Sequence, residues 1–253
     1  MIIGSVDKTA ETQVRLWVAI RNKKFYNINT LNKENFSIGE SMNQYEYRRE
    51  SDFQRFVRNR KRVPVNTFFI LANILVFLAV ELTGSALSTG HMYRWGAAYA
   101  PAIVQGKEYY RLVTSMFLHF GIQHLGNNML VLFFLGDCLE RNLGRWKYAV
   151  VYMAGGVGAN LLSLFVELKQ GQEVVSAGAS GAVFAVIGAL IYVVLVNKGR
   201  IENFTVRQLI LMAALSLYHG VTSVGIDNAA HFGGLICGLI LGILLYRKPK
   251  MRY

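Results

Sequence analysis

Gly178-Ala179-Ser180-Gly181 stands where a polar loop gives way to an apolar run that ends near Val196. Glycine weakens a helix and exposes backbone, so a serine held between glycines at a helix mouth implies that something approaches closely there. Downstream by 51 residues, Ala230-His231-Phe232-Gly233-Gly234 opens the last apolar run in the same way. A serine and a histidine, each set among small residues at the start of an apolar helix, are the components of a serine nucleophile and its base.

Composition puts both residues in a membrane protein. The chain is 53% hydrophobic yet carries a net charge of +12, so its charges are concentrated outside the apolar runs. A spanning helix needs about 20 mostly apolar residues. Six runs fit: Val65–Leu82, Leu118–Leu135, Tyr148–Val166, Ala179–Val196, Phe204–Leu217 and Ala230–Tyr246. The fifth is short, and the second contains His124, Asn127 and Asn128. The fold expected is therefore all-α: a polytopic six-helix membrane bundle over 65–246, after a polar segment over 1–64 and before a basic tail over 247–253. The polar segment has mixed charge and does not read as a cleavable signal peptide. Its Leu16, Trp17, Val18 and Phe25 suit a small cytosolic domain or a tail lying against the membrane.

Lys and Arg alternate between the loops. They crowd Arg48–Arg62, then Arg141, Arg145 and Lys147, then Lys198, Arg200 and Arg207, then Arg247, Lys248, Lys250 and Arg252. The intervening loops hold Arg94, Lys107 and Arg111, then Lys169, then none between Tyr218 and Ala230. Because cytoplasmic loops carry the positive excess, both termini are expected in the cytoplasm. The basic run Arg58–Arg62 reads as a topology anchor facing the lipid bilayer, with no nucleic-acid partner expected. The loop from Gly84 to Phe117, with Tyr93, Trp95, Tyr99, Tyr109 and Tyr110, reads as an external segment lodged at the interface, where aromatic rings sit well.

With this topology the second, fourth and sixth runs all start at the outer face. His124, Asn128, Ser180 and His231 then share one depth, and polar groups inside a membrane face the bundle or a water-filled cavity. Ala177, Gly181, Ala185 and Ala189 recur every four residues in the fourth run, as do Ala230, Gly234, Gly238 and Gly242 in the sixth. Such stripes let helices pack closely. On their own they mean only packing, but here they bracket Ser180 and His231. The histidines lack the acidic partners and spacing of a metal site, and Cys138 and Cys237 fall at different depths, so neither metal, cofactor nor disulfide is expected.

The motifs resemble those of the rhomboid intramembrane serine proteases. Gly178-x-Ser180-Gly181 resembles the family's nucleophile motif and Ala230-His231-x-x-Gly234-x-x-x-Gly238 its base motif. His124-Leu-Gly-Asn-Asn128 is similar to its oxyanion segment, and Gly136-x-x-x-Glu140-x-x-x-Gly144 to its motif at the cytoplasmic end of the second span. Tyr110-Arg111-Leu112 through Phe117-Leu118-His119 resembles the end of its first external loop. The resemblance implies a serine endopeptidase cutting transmembrane helices of single-span or polytopic substrates near the outer face, with no cofactor. Ser180 and His231 would be a catalytic dyad without Asp227, which is read as an N-cap or surface residue. His124, Asn128 and the Ser180 amide would stabilise the oxyanion, with Gly178, Gly181, Phe184, Gly234 and Gly238 in support. Phe184 stands where the family's histidine usually stacks on a tyrosine, so the ring platform is kept and the phenol lost; Tyr110 stands where a tryptophan is frequent. The setting implied is the inner membrane of a bacterium. The alternative is an inactive rhomboid-like binder of client helices; a transporter would need mid-membrane charges that the runs lack. The substrate's identity and the oligomeric state are not legible.

Overall fold

The computed structural model describes residues 60–222 and 225–248. The polar segment read over 1–64 lies outside the described residues as far as position 59, as do Lys250 and Arg252 of the basic tail. The helices are α1 (Pro64–Thr83), the short α2 (Thr89–Arg94), α3 (Ala100–Val104) and α4 (Arg111–Thr114), α5 (Ile122–Val131), α6 (Asp137–Leu143), α7 (Arg145–Gln170), α8 (Ser180–Val196), α9 (Val206–Thr222) and α10 (Asn228–Leu245). Three of the described helices, α1, α7 and α10, are long and apolar enough to cross a membrane, with mean hydropathies of 2.1, 1.8 and 1.8.

The outer surface of α1 explains the solvent it suits. Phe68, Leu71, Leu75, Leu78 and Leu82 recur at intervals of three and four and are all at least half exposed, a stripe along one helical face. So much contiguous apolar surface belongs against hydrocarbon. The opposite face carries Asn66 and Asn73, fully buried. Asn73 Nδ2 donates to the Tyr152 hydroxyl at 3.0 Å and to Phe69 O at 2.8 Å, since a buried amide without a partner is costly.

The second apolar run differs from expectation. Helix does not begin at Leu118, because Gly121 turns the chain at φ 83°, in the left-handed region that favours glycine. It begins at Ile122 and then widens into a π-helical turn over Leu132–Gly136 before α6. Asn66 Nδ2 reaches the Leu132 carbonyl there at 2.7 Å and Asp137 Oδ1 at 2.7 Å, while Asn66 Oδ1 accepts from the Tyr148 hydroxyl at 2.5 Å. Such insertions into the backbone ladder are an identifiable cause of helix distortion. Glu140 is buried at this end of the helix. Its carboxylate accepts the amides of Val65 and Asn66 at 3.2 and 2.6 Å and so caps α1, where an anion also complements the helix dipole.

α8 is hydrophobic all round, as a helix at the centre of a bundle must be; twelve of its residues are buried. It runs antiparallel to α7 and parallel to α10. A side chain at Gly155 of α7 would overlap Ala185, and one at Gly181 would lie 2.7 Å from Ala159 Cβ. On the other side, a Cβ at Gly234 would strike Gly181 O, one at Gly238 would strike Ala185 O, and one at Gly242 would lie 3.0 Å from Ala189 Cα. The two small-residue stripes therefore face one another, backbone against backbone.

The fifth run also departs from expectation. Phe204 is not helical: Arg200–Ile201 (β1) and Phe204–Thr205 (β2) pair as a small antiparallel hairpin, so the helical architecture of the described residues carries a short piece of sheet here. Glu202 sits in the turn at φ 49° and its carboxylate grips Arg141 of α6 through bonds of 3.0 and 2.8 Å.

The loop from Gly84 to Phe117 is folded rather than loose. Arg111 is 4% exposed; its guanidinium donates to Tyr93 O and Ala97 O at 2.8 Å each and to Glu108 at 2.6 Å. The Tyr110 hydroxyl and then Arg111 hold the Glu108 carboxyl below the usual carboxylate range.

Candidate active site

Ser180 opens α8 as its first helical residue, and the position before it, Ala179, provides no capping side chain. The first amides of a helix have no intrahelical acceptor, so those of Ser180, Gly181 and Ala182 lie at the open end of the helix, where its dipole is positive. The loop leading to them is stitched in place. Ser176 and Ala98 form an antiparallel bridge with bonds of 2.8 and 2.9 Å, and Gly178 N donates to Ser115 O at 3.0 Å. Ala179 N donates to His119 Nε2 at 3.3 Å.

Gly178 is required on two counts. Its φ is 156°, and an added Cβ would lie 2.7 Å from His124 Cε1 and 2.9 Å from Nε2. His124 thus closes over the loop beside Ser180 Oγ, which is 3.5 Å from the same Cβ position. The His124 ring meets that of His119 edge-on, with centroids 5.1 Å apart. Asn128, one turn further along α5, is 7% exposed, and its Nδ2 has no hydrogen-bond partner among the described residues. A buried donor of this kind normally has an acceptor.

His231 lies in the first turn of α10 and is 8% exposed. Phe184, one turn after Ser180 and on the same face of α8, is stacked on its ring with centroids 4.4 Å apart and planes inclined by 14°. Gly181 lies against Ala230, whose carbonyl oxygen would be 3.7 Å from a Cβ there. The structure therefore gathers Ser180, His231, His124, Gly178, Gly181, Phe184 and Gly234 at one end of the bundle, where α5, α8 and α10 all begin. Gly238 packs one turn deeper. Among the described residues no hydrogen bond joins Ser180 Oγ to His231.

Both Asp227 oxygens are engaged by groups other than the His231 side chain. Oδ1 accepts from Ala230 N at 2.8 Å, capping α10, and Oδ2 accepts from Ser163 Oγ of α7 at 2.5 Å. Sequence reasoning did not find the contributions of His119 and Ser163. His119 stood out only as a histidine near a loop end, and Ser163 lies 64 residues from its partner.

These features coincide with the region matched by a family model. The rhomboid domain model covers residues 106–248, more than half of the chain, and the chain belongs to the rhomboid family, as an integral membrane protein. It is 35% identical over 183 residues to the rhomboid protease GluP of Bacillus subtilis, covering 72% of this chain and 35% of that protein. It is 37% identical over 150 residues to RHOMBOID-like protein 4 of Arabidopsis thaliana, covering 58% and 36%. With the putative rhomboid protease YdcA of Bacillus subtilis it shares 29% identity over 205 residues, 81% of this chain and 98% of that one. The matched part spans about a third of the length of the first two relatives.

Proposed function

We propose that the chain is an intramembrane serine endopeptidase, with Ser180 as nucleophile and His231 as general base. The observation that carries this reading is the backbone-to-backbone packing of α8 on α10, which brings Ser180 and a ring-stacked His231 to the same end of two parallel helices. Ser180 Oγ attacks the scissile carbonyl as His231 takes its proton, and His231 later protonates the leaving amine. Catalytic hydrogen bonds are often long without substrate and tighten when it binds, which accommodates the unbonded serine. With both Asp227 oxygens engaged elsewhere, the mechanism is a dyad.

The oxyanion forms at the open end of α8. The Ser180 amide, the Asn128 side-chain NH2 and the His124 ring are its donors; Asn128 Nδ2 without a partner among the described residues suits a group held ready for charge that develops only in the transition state. Phe184 supports the base, and Gly178, Gly181, Gly234 and Gly238 permit the close approach.

In the membrane the chain makes six spans, with α5 to α6 and the shorter α8 and α9 completing the set begun by α1, α7 and α10. Both ends lie on the cytoplasmic side, where the exposed cations Lys61, Arg62, Arg145, Lys147, Lys198, Arg207 and Lys248 collect. The site then faces the outer side of a bacterial inner membrane, and substrates are membrane proteins cut near the outer ends of their helices. The test is cleavage of a model single-span substrate in proteoliposomes. Ser180→Ala and His231→Ala each abolish it while the protein stays folded; undiminished cleavage by either variant contradicts the assignment.

A further inference from the structure

The stripe of glycines fixes α10 against α8 from Gly234 downward, but His231 lies above that stripe, in the first turn. What holds this turn comes from a third helix. Ser163, in α7 and 4% exposed, donates to Asp227 Oδ2 at 2.5 Å. The same hydroxyl lies 3.4 Å from Glu167 Oε1, the weaker of its two contacts. Asp227 spends its other oxygen on the Ala230 amide at 2.8 Å, and its carbonyl accepts the His231 amide at 3.1 Å. The chain of bonds from α7 thus ends on the two residues, Ala230 and His231, that face Gly181 and Phe184 of α8.

We propose that Ser163 and Asp227 are positioning residues, an interhelical clamp that sets the first turn of α10 so that the His231 ring is aligned with Ser180 for proton transfer. Capping alone would need only the Asp227 oxygen on Ala230. The second oxygen, locked to α7, fixes the azimuth and height of the turn and therefore the direction of the imidazole. The clamp rests on the dyad reading above. It assigns Asp227 a role in catalysis that involves neither contact with substrate nor a bond to the imidazole.

The test separates a clamp from a cap and from general stability. Asp227→Ser keeps a good N-cap, but its single oxygen, committed to the Ala230 amide, no longer reaches Ser163. Ser163→Ala removes the hydroxyl and leaves the cap intact. With full-length protein in proteoliposomes, each change lowers kcat by about 10- to 100-fold, the scale of a small misplacement of reacting groups, and leaves KM within about twofold. The double variant is no worse than the singles, because both break one interaction. Ser163→Thr, which keeps a hydroxyl, restores kcat, and fluorophosphonate labelling of Ser180 slows in parallel with kcat. Parental kcat in Ser163→Ala, or additive losses in the double variant, overturn the clamp. If Ser180→Ala and His231→Ala in the same assay remain active, the dyad itself is wrong; if they are inactive while Ser163→Ala is unimpaired, only the clamp is wrong.

Discussion

Phe184 lies flat against His231, its ring centroid 4.4 Å from that of the imidazole and its plane inclined by only 14°. The contact joins α8 to α10 one turn from Ser180, and it needs only a ring, since a hydroxyl contributes nothing to stacking. An aromatic pair of this kind contributes about 0.5–1.5 kcal/mol beyond area burial. Phe184→Ala should therefore lower kcat by about 2- to 10-fold through a mobile base, whereas Phe184→Tyr should stay close to parent. Steady-state cleavage in proteoliposomes checks both; equal loss in the two variants would mean that the ring does not act as a platform.

Asn128→Ala should act on turnover. An oxyanion donor is used in the transition state, so kcat should fall by about 100- to 1,000-fold with KM little changed. A rise in KM at constant kcat would make Asn128 a substrate-binding residue instead.

Asp227→Asn distinguishes dyad from triad. Asparagine caps a helix as well as aspartate, and its NH2 can donate to Ser163 Oγ, so the tie to α7 survives with its direction reversed. Activity should stay within about tenfold of parent, against the loss of about 10⁴ seen when a triad aspartate becomes asparagine. A loss on the latter scale, measured beside His231→Ala, would establish a triad.

Ser180 at the start of α8 should act on substrates whose helices can open near their outer ends. A regular helix ties its carbonyls into i to i−4 hydrogen bonds, and Gly or Pro weakens it by about 1 to 3 kcal/mol per residue. Substrates with such residues near the cut should be processed best, with a small residue before the bond because Gly178 and Gly181 line tight space. Replacing them by leucine should protect the substrate. Mass-spectrometric mapping of the products would reject the topology if the cuts fell at the cytoplasmic end.

Much of the architecture was written locally. The small residues at every fourth position announced the α8–α10 contact, and Gly181 on Gly234, Ala185 on Gly238 and Ala189 on Gly242 are the pairs found. The apolar runs of α1, α7 and α10 were legible from length alone. The bend at Gly121 and the π turn were not, because the latter accompanies Asn66, a residue 66 positions away from Leu132. The capping of α1 by Glu140 was not legible either, since backbone amides at a helix start leave no mark on side-chain patterns. The same holds at the site. Ser180 and His231 stand out by their small neighbours, whereas the bonds of His119 to Ala179 and Ser163 to Asp227 exist only once the chain is folded.

Covalent labelling tests the central claim most directly. Membranes containing the protein are treated with a fluorophosphonate probe and the modified residue is located by peptide mass spectrometry. The adduct should sit on Ser180, should vanish in Ser180→Ala and should form far more slowly in His231→Ala. An adduct on another serine, or labelling of Ser180 at an unchanged rate without His231, would contradict the assignment of these two residues as nucleophile and base.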